Sequence, residues 1–338
     1  MTDSGSPSER PGEFELIARL FAPLARGFSG ACGLEDDVAY LTLSNGLVHG
    51  GEELVLKTDA IVSGVHFLAD DPADLIARKL LRVNLSDLAA KGARPIVYML
   101  AAMAPASLDY AWLEQFAEGL RTDQDEFGIM LAGGDTDATP GPLTLSLSVI
   151  GAIPAGQRLL RSAARVGDAV FVLGTIGDGA LGLAAIRGQL AGVSQDDLDF
   201  LADRYRLPQP RLALGKSLRG LAHATMDISD GLIGDLRHIC DASHVRARIE
   251  IDRVPLSKAA RATLMNAPTL IDTVIGGGDD YELLFTAPAS CADELNSLGR
   301  EAGVPIVRIG GIDSGEGVSV FSPDGLELVP TKVGYRHF

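Results

Sequence analysis

Asp227-Ile228-Ser229-Asp230 sets two carboxylates and a hydroxyl within four residues, at the end of an apolar run and directly before Gly231. Buried without a partner, such groups cost several kcal/mol. The stretch therefore asks for something positive, most simply a metal-bound phosphate. The same demand recurs along the chain. Acids beside Gly, Ser or Thr at the ends of apolar segments stand at Asp36-Asp37, Asp59, Asp87, Asp135, Asp227 and Asp230. A single acid of this kind is most often a helix cap or an Asx turn. As a set they suit Mg²⁺, which takes oxygen ligands, keeps waters and completes its octahedron with substrate phosphates.

Other signals are weaker. Lys57-Thr58-Asp59 delivers a hydroxyl and a carboxylate together at a strand end. His66, between Val65 and Phe67, reads equally as a general base or as a structural hydrogen-bonder. Arg161, followed by Ser162, is either a bidentate phosphate clamp or a solvated loop arginine. Gly174 to Gly182 has the strand, glycine loop and helix order that can meet an anion at a helix N-terminus, but it lacks the spacing and downstream acid of a dinucleotide fingerprint. Leu214-Gly215-Lys216-Ser217 fails as a phosphate-binding P-loop, because Pro210 stands where the first glycine belongs and no apolar strand precedes it. No nucleophile with a paired base emerges.

These residues need a sizeable scaffold. The chain has 338 residues, a formal net charge of -16 and 46% hydrophobic residues, enough for two domains. No run of 18 apolar residues offers a membrane span. No Lys/Arg block offers a nucleic-acid surface. The segment from Met1 to Gly12 is Ser/Pro/Gly-rich and lacks signal-peptide character, so it reads as a frayed tail of a cytoplasmic protein. Cys32, Cys240 and Cys291 have no metal-type spacing and read as reduced thiols.

Periodicity places the elements. In the first half it gives a helix over Glu13 to Leu24, a strand from Leu54 to Asp59 and a helix from Asp74 through Leu88, stopped by Gly92 and Pro95. Asn84, Ser86 and Asp87 then fall at or near the exposed end of that helix. A strand from Tyr98 to Met103, a helix through Trp112 and Leu120, and a short strand from Ile129 to Ala132 ending in Gly133-Gly134-Asp135-Thr136-Asp137 follow. Alternation from Leu143 to Val149 marks a further strand. The boundary falls near Gly151 to Arg165, giving a tail (1–12), an N-terminal domain (13–151) and a C-terminal domain (152–338). The second half reads as a strand from Ala169 to Leu173, helices ending at Ile186, over Arg211 to Leu221 and ending at Ser243, strands beginning at Ile249 and Ile275, a strand from Leu283 to Phe285, a helix from Ala289 to Ala302 and a strand from Pro305 to Ile309. The class is α/β.

Nine blocks in order carry a resemblance. They are Gly12-Glu13-Phe14, Glu35-Asp36-Asp37, Lys57-Thr58-Asp59, Gly64-Val65-His66-Phe67, Asn84 to Ala90, Gly133-Gly134-Asp135-Thr136, Asp227 to Leu232, Asp280-Tyr281-Glu282-Leu283 and Gly334 to Phe338. Together they resemble the thiamine-monophosphate kinases, in the superfamily of aminoimidazole ribonucleotide synthetase and selenide, water dikinase. The resemblance implies a two-domain aminoimidazole ribonucleotide synthetase-like α/β (α+β) fold, a homodimer whose N-terminal sheets form a barrel, and an active site in the cleft between domains. It implies phosphorylation of thiamine monophosphate to thiamine diphosphate with ATP as co-substrate. Asp37, Thr58, Asp59, Asp87, Asp135, Asp227 and Asp230 would hold several Mg²⁺ ions. Gly134, Asp135, Arg161 and Ser229 would meet ATP, and His66, Asp279 and Tyr335 the thiamine part.

Three positions depart from the family pattern. Glu35 stands where a glycine usually precedes the paired aspartates, Lys57 where a metal-contacting serine is common, and Asp279 where a glutamate is usual. The expected mechanism is direct in-line transfer without a covalent intermediate, since an anionic phosphate acceptor needs no strong base. Two alternatives stand beside it. A selenide-type dikinase has Cys32 in its favour, but that chemistry should place a lysine beside the cysteine and the first lysine here is Lys57. A Mg²⁺-nucleotide-binding regulator without turnover is favoured by Lys57 and Asp279.

Overall fold

The computed structural model describes residues 17–28 and 51–335. Asp37, Cys32 and the blocks Gly12-Glu13-Phe14 and Glu35-Asp36-Asp37 lie outside the described residues. The chain divides into two compact units, Met1–Leu85 with Pro95–Ile153, and Ser86–Arg94 with Pro154–Phe338.

The alternation around Leu145 and Leu147 becomes a strand whose odd residues are buried (β4, Thr144–Pro154). It lies between β1 (Glu52–Val62) and β2 (Arg94–Pro105), and β3 (Met130–Thr139) closes the order β1-β4-β2-β3. β2 and β3 run parallel, which requires a crossover; α2 (Tyr110–Phe127) supplies it. Asp109 caps α2 by accepting from Trp112 N, and Gly128 ends it at a left-handed φ of 63°. α1 (Ala73–Ala90) is pinned to α2 by a buried pair: Arg82 donates to Asp123 from Nε (2.6 Å) and Nη2 (2.9 Å).

Gly133 to Asp137 lie inside β3 rather than in a loop after it, paired with β2 as far as Met103↔Asp137. Gly134 permits this: a Cβ there would sit 1.8 Å from Leu100 O. Asn84 and Ser86 are fully buried in α1 instead of at an exposed end, and Asp87 is half-buried. Within the expected helix from Glu13 to Leu24, the described residues form a wide turn at Ile17–Phe21 and a tight one at Ala22–Ala25, with Pro23 inside the latter.

The second unit carries a seven-stranded sheet in the order β11-β10-β7-β9-β5-β8-β6. Its strands are β5 (Asp168–Leu173), β6 (Ala224–Asp227), β7 (Arg246–Glu250), β8 (Leu283–Pro288), β9 (Ile306–Asp313), β10 (Gly317–Phe321) and β11 (Glu327–Leu328). β5 is buried throughout, as a continuous apolar run at the sheet centre should be. Val170 and Val172 join one core with Leu181 and Leu236; Ala169, Phe171 and Leu173 join the opposite one with Leu214 and Leu295. The helices are α3 (Asp178–Ile186), α4 (Gln195–Arg206), α5 (Leu212–Ser217), α6 (Leu232–Ser243), α7 (Lys258–Asn266), α8 (Ile271–Gly276) and α9 (Ala292–Ala302). Ile275 is therefore helical, not the start of a strand. Gly215, the centre of the rejected P-loop, lets α5 approach α1: its Cβ would lie 2.0 Å from Ala89 O.

Candidate functional site

In the first unit, strand alternation turns Thr58 and Asp59 to opposite faces of β1, so their side chains are not brought together. Thr58 Oγ1 shares a hydrogen bond with Ser148 Oγ at 2.6 Å. Asp59 sits on the same face as Lys57, whose Nζ lies 3.1 Å from Asp59 Oδ1. Asn84, buried in α1, accepts from Asp59 N at 3.1 Å and donates to Leu80 O. His66 Nδ1 accepts from Val62 N at 3.0 Å. Accepting there leaves the ring proton on Nε2, so the side chain presents a donor rather than a base. Gly134 and Asp135 are exposed on β3, and Asp135 Oδ1 takes Thr136 N.

In the second unit, the apolar strand β6 ends on Asp227, which is 4% exposed. Ser86 Oγ donates to Asp227 Oδ2 at 2.7 Å. The ladder between β6 and β8 continues past both strands: Ile228 N donates to Glu282 O, Tyr281 N to Ile228 O and Asp279 N to Ser229 O. Tyr335 N donates to Asp230 O at 2.9 Å. Backbone pairing thus gathers Asp227, Ser229, Asp230, Asp279 and Tyr335 at one end of the sheet.

Asp235, in the first turn of α6, reaches back so that its Oδ2 accepts from Asp230 N (3.0 Å) and Gly231 N (3.1 Å). Burial, then the charges of Asp227 and Asp230, push its carboxyl up to about 8. Asp230, Asp235 and His238 each place a ligand atom within 4.8 Å of the others. Sequence reasoning passed over Asp235 and His238. The available signal was an acid and a histidine three residues apart on the helix that Asp230 introduces.

The loop from Gly174, expected to meet an anion, instead donates to a carboxyl of the protein itself. Gly177 N donates to Asp280 Oδ2 at 2.8 Å and Gly179 N to Oδ1 at 3.1 Å. Asp280 is buried, and that burial holds its carboxyl well above the usual range against those donors. On either side the backbone is left-handed, with φ 63° at Asp279 and 51° at Tyr281, a conformation unusual for side chains other than Asn and Asp. Arg161 is exposed on a short turn (Arg161–Ala163), tied to α6 where Ser243 Oγ donates to Arg161 O.

Asp87, Asp227 and Asp230 offer only oxygen, and the charges of the last two add to burial in pushing up the Asp235 carboxyl. Such a donor set fits Mg²⁺. Asp59 fits less simply, because an ammonium already stands beside it.

The comparisons with known proteins agree with this architecture. Residues 35–153 match the N-terminal domain of AIR synthase-related proteins, and residues 165–322 match their C-terminal domain. The chain is 42% identical to the thiamine-monophosphate kinase of Caulobacter vibrioides over 99% of this chain and 94% of that one. The crystal structure of thiamine-monophosphate kinase from Stenotrophomonas maltophilia K279a matches with a TM-score of 0.77 at 42% identity, covering 85% of this chain and 89% of that one. AaThiL complexed with AMPPCP and TMP matches with a TM-score of 0.75 at 28% identity, over 98% and 100%. Fold and matched domains define an AIR synthase-related protein. Within that class the chain belongs to the thiamine-monophosphate kinase family, and it is a phosphotransferase.

Proposed function

We propose that this protein transfers the γ-phosphoryl group of ATP to thiamine monophosphate, giving thiamine diphosphate and ADP by direct in-line attack. What carries the reading is the acid set at the end of β6, Asp227 and Asp230, held in place by Ser86 and Asp235. It occurs in a chain similar over nearly its whole length to a thiamine-monophosphate kinase.

The acceptor is already an anionic phosphate, so its oxygen needs alignment rather than deprotonation. By the family resemblance, Asp87, Asp227 and Asp230 in the second unit, and Asp37, Thr58, Asp59 and Asp135 in the first, would each serve as Mg²⁺ ligands. Mg²⁺ held by these residues would supply positive charge against the crowded phosphates. The chain's own work is orientation. Gly134, Asp135, Arg161 and Ser229 would contact the nucleotide. His66 would donate from Nε2, and Asp279 and Tyr335 would meet the thiamine moiety. With its proton on Nε2, His66 positions substrate and abstracts nothing. Incubation with ATP, Mg²⁺ and thiamine monophosphate should yield thiamine diphosphate by chromatography; absence of product at saturating substrate would sink the assignment.

The same reading makes the protein a cytoplasmic homodimer. Among the described residues, no helix is long and apolar enough to cross a membrane. One face of the first unit's sheet exposes Leu54, Leu56 (70%) and Met99, an apolar patch suited to a second copy. The Lys57–Asp59 pair favours a second reading, a Mg²⁺-nucleotide-binding regulator. ATP binding without product in the same assay would select it.

A further inference from the structure

Strand β6 is short, four residues, and its functional end is held from one side by the last turns of α1. Three contacts join them. Thr225 Oγ1 donates to Ala90 O, Lys91 Nζ donates to Thr225 O at 2.8 Å, and Ser86 Oγ donates to Asp227 Oδ2 at 2.7 Å. The first holds a side chain of the strand, the second its backbone and the third a carboxylate. Ser86 and Thr225 are fully buried. The Ser86 hydroxyl also lies 3.4 Å from Tyr281 O, but it has a single proton, and the 2.7 Å contact with a carboxylate takes it.

A carboxylate with two free oxygens rotates about χ2 and ligates through either or both. One oxygen engaged by a buried, rigid hydroxyl removes that freedom. We infer that Ser86 is a positioning residue for Asp227: by engaging Oδ2 it fixes the rotation of the carboxylate that Asp227 would present to a divalent cation. The inference rests on the proposed metal-dependent phosphotransfer. Ser86 touches neither substrate nor reacting atoms in this assignment. It acts through Asp227, as groups behind metal ligands commonly do, and their loss typically weakens metal binding by roughly 10–100-fold.

Mn²⁺ is the probe, titrated into the full-length protein and read as loss of the free-ion electron paramagnetic resonance signal, without turnover. Ser86→Ala should weaken Mn²⁺ binding by about tenfold or more. Thr225→Val breaks another contact between the same elements and should lower the melting temperature while leaving Mn²⁺ affinity within about twofold of wild type. In an Asp227→Asn background, Ser86→Ala should add no further loss, because the group it orients is gone. Should Ser86→Ala fail to fold, Ser86→Cys keeps the volume with a weaker donor and enters the same titration. Unchanged Mn²⁺ affinity in the serine variant, or full additivity with Asp227→Asn, overturns the inference while normal wild-type turnover leaves the kinase reading standing. A wild-type chain that binds no Mn²⁺ overturns both.

Discussion

Arg211 grips Glu282 with two parallel hydrogen bonds, Nε to Oε2 and Nη2 to Oε1, both at 2.6 Å. Arg204 Nη2 adds a third to Oε1 at 2.8 Å. The carboxylate is fully buried, and Gly174 makes the space for it: a Cβ there would lie 2.0 Å from Glu282 Cδ. Glu282 heads β8 and ends the strap that carries Asp279 and Tyr281, so this ion cluster is the strap's anchor in the sheet.

Loss of one partner would strand a buried charge. Arg211→Ala should destabilise the protein by about 3 kcal/mol or more in denaturant unfolding. Arg211→Lys should recover only part of that loss, because an ammonium cannot reproduce the two-pronged geometry. A loss below about 1 kcal/mol for the alanine variant would show that Arg204 alone neutralises Glu282.

Lys57 and Asp59 form a different kind of pair. Their side chains are 31% and 39% exposed, and pairs of that exposure contribute about 0–1 kcal/mol. Lys57→Ala should therefore leave the melting temperature nearly unchanged. It should instead lower the Mg²⁺ concentration for half-maximal turnover, because the ammonium no longer competes for Asp59. Asp59→Asn and Asp230→Asn should cut turnover on the order of 10²–10³-fold with the fold intact. Unaltered Mg²⁺ dependence in Lys57→Ala would show that lysine and cation do not compete.

Asp280 tests the strap from its other side. Asp280→Ala leaves Gly177 N and Gly179 N without their acceptor in a buried place, a loss of about 1–3 kcal/mol. Because the strap then loses its hold on α3, the KM for thiamine monophosphate should rise more than kcat falls, with the KM for ATP little changed. Equal effects on both substrates would place the strap's role outside acceptor binding.

Much of this was legible in one-dimensional pattern. Alternation gave β4, the buried run gave β5, and α6 ends at Ser243 as its periodicity indicates. The acids of the candidate site were visible because Asp beside Gly or Ser at an apolar segment's end is conspicuous. Three things were not. Gly133 to Asp137 looked like a loop because glycine and acid disfavour strands, yet pairing with β2 overrode propensity. The Gly174 loop looked open to an outside anion because nothing local shows that Asp280, a hundred residues later, supplies the acceptor. Ser86 looked exposed because it clusters with Asn84 and Asp87 near the end of a helix whose partner, β6, is remote in sequence. Each of these three turns on a long-range contact, which composition and period do not encode.

Asp235 makes the pH dependence of the metal-free protein a reading of the same charge cluster. Its carboxyl titrates at about 8 in the folded chain and near 3.9 when unfolded. Between those values the folded state binds the extra proton. Stability in a chelator should therefore be full below about pH 4, fall as pH rises towards 8 by at most about 1.4 kcal/mol per pH unit from this group, and then level off. Asp235→Asn removes the titration and should flatten that slope, although it also weakens the bonds to Asp230 N and Gly231 N. Saturating Mg²⁺ should make the slope shallower in the wild type as well, because a cation on Asp227 and Asp230 cancels the repulsion that adds to burial in raising the group. Urea midpoints from pH 5 to 9, with and without Mg²⁺, check this. A wild-type slope that Mg²⁺ does not change would mean that burial alone sets the value and that no cation binds beside Asp235.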